Sequence, residues 1–114
     1  MAENLLSKDE IKTMEMLGFF FYTMGLEDRA LRTAKALIAI DHENIWARQA
    51  LVAIAYKQER YQDVLDLTLS LDLDDLNSDA KLQLAKLKAR AMFKLGKSKD
   101  AQKLMAELIE KENM

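Results

Sequence analysis

The sequence predicts an all-α protein of six helices paired into three hairpins, and three observations predict it. Proline is absent and glycine occurs only three times, at Gly18, Gly25 and Gly96, in a chain of 114 residues rich in Ala, Leu, Lys and Glu, a composition that favours helix throughout. Apolar residues recur at spacings of three and four, which places them on one face of a helix. A ten-residue phrase is also written three times: YTMGLEDRAL (22–31), YKQERYQDVL (56–65) and FKLGKSKDAQ (93–102) each put an aromatic residue first. Each then has a tight turn, at Gly25, Glu59 and Gly96, followed by a small or apolar residue, at Ala30, Val64 and Ala101. The turn positions lie 34 and 37 residues apart.

The first helix, expected over 8–24, starts at Ser7 and Glu10, which have the spacing of a capping box, with Leu6 and Ile11 placed as its hydrophobic staple. Ile11, Met14, Leu17, Gly18 and Phe21 fall on one face, and Gly25 suits a left-handed C-cap. After GLED, a second set at Ala30, Leu31, Ala34, Leu37 and Ile38 repeats the period over 27–40 and stops near Asp41. Two helices of about four turns joined this tightly form an antiparallel hairpin. The second hairpin is expected over 44–57 and 61–71. The third, over 78–95 and 98–112, follows LDLDDLNSDA, where three extra residues fall and where Ser78 or Asp79 is placed to cap the fifth helix.

A helix-turn-helix unit recurring near 34 residues resembles the tetratricopeptide repeat. In the first unit Leu17 and Gly18 stand where that motif has its Leu-Gly pair, Phe21 takes its aromatic, Ala30 its small residue, and Ala34 and Leu37 the packing positions behind it. In the second, Leu51, Ala55, Tyr61, Val64 and Leu71 do the same. The resemblance implies one domain over 1–114, with repeats at about 11–44, 45–78 and 82–114, its three hairpins stacked as a short right-handed solenoid. The proline common at the end of each unit is replaced by His42 in the first and Leu76 in the second.

Several function classes are excluded. With 17 basic and 19 acidic residues the net charge is −2, so no polycationic surface argues for nucleic acid. Cysteine is absent, which removes disulfides, thiolate nucleophiles and Cys-type zinc sites and fits a reducing compartment. MAENLLSKDE lacks the basic and apolar regions of a secretory signal, and the longest apolar run, 50–56, is seven residues, short of a membrane span. The expectation is a soluble, cytoplasmic protein. The single histidine, His42, sits in a turn beside Asp41 and Glu43 without a nucleophile or metal partner, which makes it a solvated turn residue. Asp72, Asp74 and Asp75 lack the glycine and distal glutamate of a calcium loop. No phosphate-binding glycine loop is present, and Ser and Thr have no base at motif spacing. The sequence therefore reads as a binding protein without catalytic residues, cofactor or metal.

The informative stretch is GFFFYTMG, 18–25. Rings at four successive helical positions spread over about 300° of the circumference, more than one core can receive. Tetratricopeptide geometry implies that the first helix of each hairpin lines a concave groove, the face with which such solenoids bind. That places Lys12, Glu15, Phe19, Tyr22 and Thr23 there from the first helix. The third contributes Trp46, Gln49, Ala53, Tyr56 and Lys57, and the fifth Gln83, Lys86, Arg90, Phe93 and Lys94. On this reading Phe20 and Phe21 fill the hairpin core while Phe19 and Tyr22 face the groove. Five of the eight aromatic residues would then share one strip, larger than a monomer normally leaves bare. Five basic residues against one acidic residue on that strip favour an apolar partner segment with acidic character, or a free C-terminal carboxylate.

A chain of this length filled by three such units, with Leu17-Gly18, Gly25, Arg29-Ala30 and the acidic turn Asp41-His42-Glu43, resembles the YscY (SctY) chaperones of bacterial type III secretion over about residues 6 to 110. The resemblance implies a cytoplasmic bacterial protein that binds a small secreted YscX-like partner and acts with it at the export gate. Made without its partner, such a protein is expected to hide its strip as a homodimer. Two other readings stand beside it: a needle-subunit or translocator chaperone of the same system, and a general scaffold that docks a partner's C-terminal tail. Against the scaffold, the carboxylate-clamp residues expected on the first helix are replaced by Glu15 and Phe19.

Overall fold

The first helix, α1 (Lys8–Thr23), begins at the capping box read from the sequence. The Glu10 N–H donates to Ser7 Oγ at 3.1 Å and the Ser7 N–H donates to Glu10 Oε1 at 2.8 Å, so two of the helix's orphan donors are satisfied reciprocally. The Ser7 backbone N–H, helped by its hydroxyl, holds the Glu10 carboxyl below its ordinary range. The computed structural model describes residues 6–69 and 79–112. Within them follow α2 (Glu27–Ile40), α3 (Ile45–Lys57), α4 (Tyr61–Leu67), α5 (Asp79–Lys94) and α6 (Ser98–Glu112). No strand occurs among the described residues: the protein is all-α, as its composition and periodicity predict. The acidic cluster Asp72, Asp74 and Asp75, the packing position Leu71, Leu76, Ser78 and the inserted residues lie outside the described residues.

The three aligned turns fold alike. Gly25 (φ 79°), Glu59 (φ 60°) and Gly96 (φ 81°) all adopt the left-handed conformation. At each turn the N–H of the next residue reaches back to a carbonyl five residues earlier: Leu26 to Phe21 at 2.8 Å, Arg60 to Ala55 at 2.9 Å and Lys97 to Met92 at 2.8 Å. The left-handed residues themselves donate to Tyr22, Tyr56 and Phe93 at 3.1, 3.0 and 3.1 Å. These are three Schellman caps. The carbonyls of Leu26, Arg60 and Lys97 then accept the first bond of the following helix, from Ala30, Val64 and Ala101. All three of those residues are buried.

The chain divides into two units, residues 1–54 and 55–114, and the division falls within α3. In the first unit α1 packs on α2. Ala34, Leu37 and Ala47 form the buried centre, with Ile11, Met14, Ile38, Trp46, Ala50 and Leu51 around it. In the second, α5 packs on both α4 and α6, and Ala85, Ala89, Leu104 and Leu108 form the centre beneath Leu82 and Met92. Alanine supplies much of both cores, including Ala30, Ala34, Ala55, Ala85 and Ala91 at 0% exposure. Side chains this short let neighbouring helix axes come close.

Two sequence expectations need correction. Leu17 is 48% exposed and Phe20 53% exposed, so neither fills the hairpin core. The inward arc of α1 is confined to Ile11, Met14, Gly18 and Phe21, and one step of about 100° carries Leu17 and Phe20 off it. Phe21 is half-buried, with the Arg29 guanidinium 6.0 Å from its ring centre. Helix α4 is also shorter than expected. The buried Thr68 turns its hydroxyl back to the carbonyl of Val64 at 2.7 Å, offering the chain a local alternative to continued helix.

Candidate partner-binding clefts

Gly18 and Trp46 build the first cleft. Gly18 is the one buried residue of α1, and the indole of Trp46 occupies the place a Cβ would take: Cζ3 and Cζ2 lie 2.9 and 3.0 Å from that position, and Cη2 is closer still. No side chain fits there, so the glycine lets α3 lay its aromatic ring on the α1 backbone. The start of α3 is held to α1 by a polar contact as well. Asn44, buried, accepts from the Ala47 N–H at 2.8 Å as an N-cap, while its Nδ2 donates to Glu15 Oε2 at 2.9 Å. Asp41 orders the turn before it, its Oδ1 accepting from the Glu43 N–H at 2.9 Å.

With the ring fixed, Phe19 and Tyr22 of α1 and Trp46, Gln49, Ala50 and Ala53 of α3 enclose a cleft of about 270 Å³. Its walls are apolar apart from Gln49 and the Tyr22 hydroxyl. Phe19 stands 59% exposed at its edge.

A second cleft, of about 290 Å³, lies within the second unit between Tyr56, Ala89, Arg90, Phe93 and Lys94 and the α6 residues Ala101, Gln102 and Met105. Tyr56 is held edge-on against Tyr61, ring centres 5.4 Å apart, and Phe93 is 62% exposed. Arg90 and Lys94 are one helical turn apart and carry the only charges on this wall. Both clefts fall just under the ~300–1,000 Å³ of ordinary small-molecule sites. That size suits one or two side chains of a docked segment.

Eight of the ten residues expected to contact a partner line one of these clefts: Phe19, Tyr22, Trp46 and Gln49 the first, and Tyr56, Arg90, Phe93 and Lys94 the second. The other two stand apart. Lys86 pairs with Glu112 at 2.8 Å, which ties α5 to the end of α6, and Lys57 lines neither cleft. Glu15 serves as the Asn44 acceptor. The contribution of α6 was missed, because repeat geometry assigns the groove to first helices alone. Asn44 was missed too, although an Asn three residues before Ala47 is itself an N-cap signal.

Among the described residues no cluster of His, Asp or Glu is arranged to hold a metal ion, and no helix is long and apolar enough to cross a membrane. Comparison with protein-family models, curated proteins and solved structures yields no match.

Proposed function

We propose that this protein is a tetratricopeptide-type binding protein that acts as a cytoplasmic chaperone of the YscY (SctY) kind. It binds a helical segment of a small YscX-like export component, shields that segment's apolar surface, and releases it at the export gate. One observation carries the reading. The residue three positions before each left-handed turn residue is aromatic in all three turns, Tyr22, Tyr56 and Phe93, and each of these rings lines an apolar cleft. A recurring turn thus presents a recurring anchor site, as expected of a repeat protein that grips an extended or helical ligand at several points. Arg90 and Lys94 beside Phe93 favour an acidic residue in the bound segment.

The role requires no catalysis. Affinity comes from burying rings already half out of solvent, and charge contributes mainly to association rate. Co-expression with a YscX-like protein followed by calorimetry tests the reading. Phe19→Ala and Phe93→Ala each remove an exposed ring, so the fold is spared, and each should cost ~2 kcal/mol or about 30-fold in affinity. Lys94→Ala should act chiefly on salt dependence. Full affinity in both phenylalanine variants moves the site off the clefts, and failure to form any complex removes the chaperone assignment. Binding that needs a free C-terminal carboxylate on the ligand would favour the scaffold reading instead.

A further inference from the structure

The two clefts differ in charge. No charged residue lines the first, whereas Arg90 and Lys94 line the second. These two lie one turn apart on α5, about 5–6 Å between Cβ atoms, and Phe93 belongs to the turn between them. Neither is paired with a carboxylate among the described residues, while Lys86, one turn earlier in the same row, is taken by Glu112 at 2.8 Å. The sign continues around the rim. Between residues 90 and 103 the cations Arg90, Lys94, Lys97, Lys99 and Lys103 stand against one anion, Asp100, in a chain of net charge −2, and all six are exposed. Asp100 precedes the cleft residue Ala101, and one helical step of about 100° turns it off the wall. Apart from Gln102 and the Tyr56 hydroxyl the remaining wall is apolar, and Ala89 and Ala101, 2% and 4% exposed, set it back from the surface.

We infer that the second cleft recognises an acidic helix: a partner segment with Asp or Glu at i and i+4, seated on Arg90 and Lys94, and one large apolar side chain on the same turn, seated beside Phe93 and Met105. The inference rests on the reading of this cleft as a partner site and adds what the occupant must carry. Charge complementarity selects the acids, because two cations without partners flank the only charged wall of either cleft and a like-charged segment would be repelled. Geometry selects the helix. At i and i+4 two carboxylates match the spacing of Arg90 and Lys94, and a residue at i+3 falls beside both. In an extended strand the residue between two acids on one face points to the opposite face. A recessed apolar wall suits an inserted side chain better than a flat anionic bilayer, and two cations at one pocket are fewer than the run of phosphate contacts on which nucleic-acid binding draws.

Fluorescence anisotropy of the full chain with labelled alanine-based peptides of about 16 residues, long enough to populate helix, tests this. The peptides are acetylated and amidated, so no terminal carboxylate contributes. They carry Glu at i and i+4 and Leu at i+3 or, for the opposite chain direction, at i+1. One of the two should bind about tenfold or more tightly than its counterparts with Lys for Glu or Ala for Leu, and raising salt from ~0.1 to ~1 M should narrow the Glu–Lys gap. Lys94→Glu, at an exposed position, should weaken the Glu peptide about tenfold or more with helicity by circular dichroism unchanged, because like charges then face each other. Lys35→Glu, an equal change of net charge on α2, should leave binding as it was. Arg90→Glu combined with Lys94→Glu should reverse the preference toward the Lys peptide. Equal affinity for the Glu and Lys peptides overturns the proposal, as does tighter binding of phosphatidylserine vesicles or a poly-uridine oligonucleotide that Lys94→Glu abolishes. With a YscX-like partner, a complex weakened by Phe93→Ala but not by Lys94→Glu keeps the cleft as its site and overturns the acidic requirement. Selective binding of the Glu peptide by a chain that forms no YscX-like complex supports the requirement and removes only the partner's identity.

Discussion

The Trp46 indole lies against Gly18 so closely that ring carbons come within 2.9–3.0 Å of where a Cβ would stand. Gly18→Ala must therefore displace the ring or part α1 from α3. Alanine's better helix propensity returns ~0.5–1 kcal/mol, but overpacking against the indole costs ~1–3 kcal/mol. The expected net loss is about 1–2 kcal/mol in urea unfolding followed by circular dichroism. Adding Trp46→Leu should relieve the clash, so that the double variant shows a favourable coupling. Simple additivity would mean that the ring moves aside freely.

The left-handed turns make a second prediction. Glu59 bears the steric cost of φ 60° that Gly25 and Gly96 avoid, about 1–2 kcal/mol for an L-residue. Glu59→Gly removes that cost while adding unfolded-chain entropy worth ~0.4–1 kcal/mol, for an expected gain near 0.5 kcal/mol. Gly25→Ala and Gly96→Ala should each lose about 1 kcal/mol by strain alone, since a Cβ at either site meets nothing within 4 Å. Equal stability of all three variants and the parent would sink the shared-turn account.

Ala30 sits at 0% exposure directly after the first turn. Ala30→Arg forces a long charged side chain between α1 and α2 and should cost several kcal/mol, enough to abolish a cooperative melt in a marginally stable chain. A near-parental melting temperature would refute the packing of this pair.

Below neutral pH the α1 cap should weaken in a defined direction. The Ser7 backbone N–H and hydroxyl favour ionised Glu10 and lower its carboxyl below the ordinary 4.5. A depressed folded-state value stabilises the fold above that ordinary value and is lost as pH falls through the lowered one. The group is fully exposed, so the effect is small. Thermal melts from neutral to acidic pH should show parent and Glu10→Gln converging as pH falls. Ser7→Ala should cost about 1 kcal/mol at neutral pH. A gap between parent and Glu10→Gln that widens in acid would have the wrong sign.

What the sequence disclosed was local. The capping box at Ser7, the three turns and the buried positions Ala30, Val64 and Ala101 each depend on residues within one or two helical turns, and spacing alone exposes them. The width of a buried arc is not local. Leu17 and Phe20 satisfy helical periodicity as well as Phe21 does, and only the placement of α2 decides which of them it covers. The same holds for Lys86, whose pairing with Glu112 crosses 26 residues of chain, and for Met105, brought to the second cleft by the return of α6. Aromatic identity marked the cleft walls because large rings that fit no core must line some other surface. It did not show that Trp46 would serve packing and cleft together.

That double placement makes Trp46 an intrinsic optical probe. It is the sole tryptophan of the chain, with one edge against the α1 backbone at Gly18 and another on the cleft beside Phe19 and Tyr22. Water that leaves the cleft when a segment docks also leaves the indole, so occupancy should shift its emission to shorter wavelength without any label. Loss of the α1 contact on unfolding should move the emission the opposite way, so a single spectrum separates a filled cleft from a melted one.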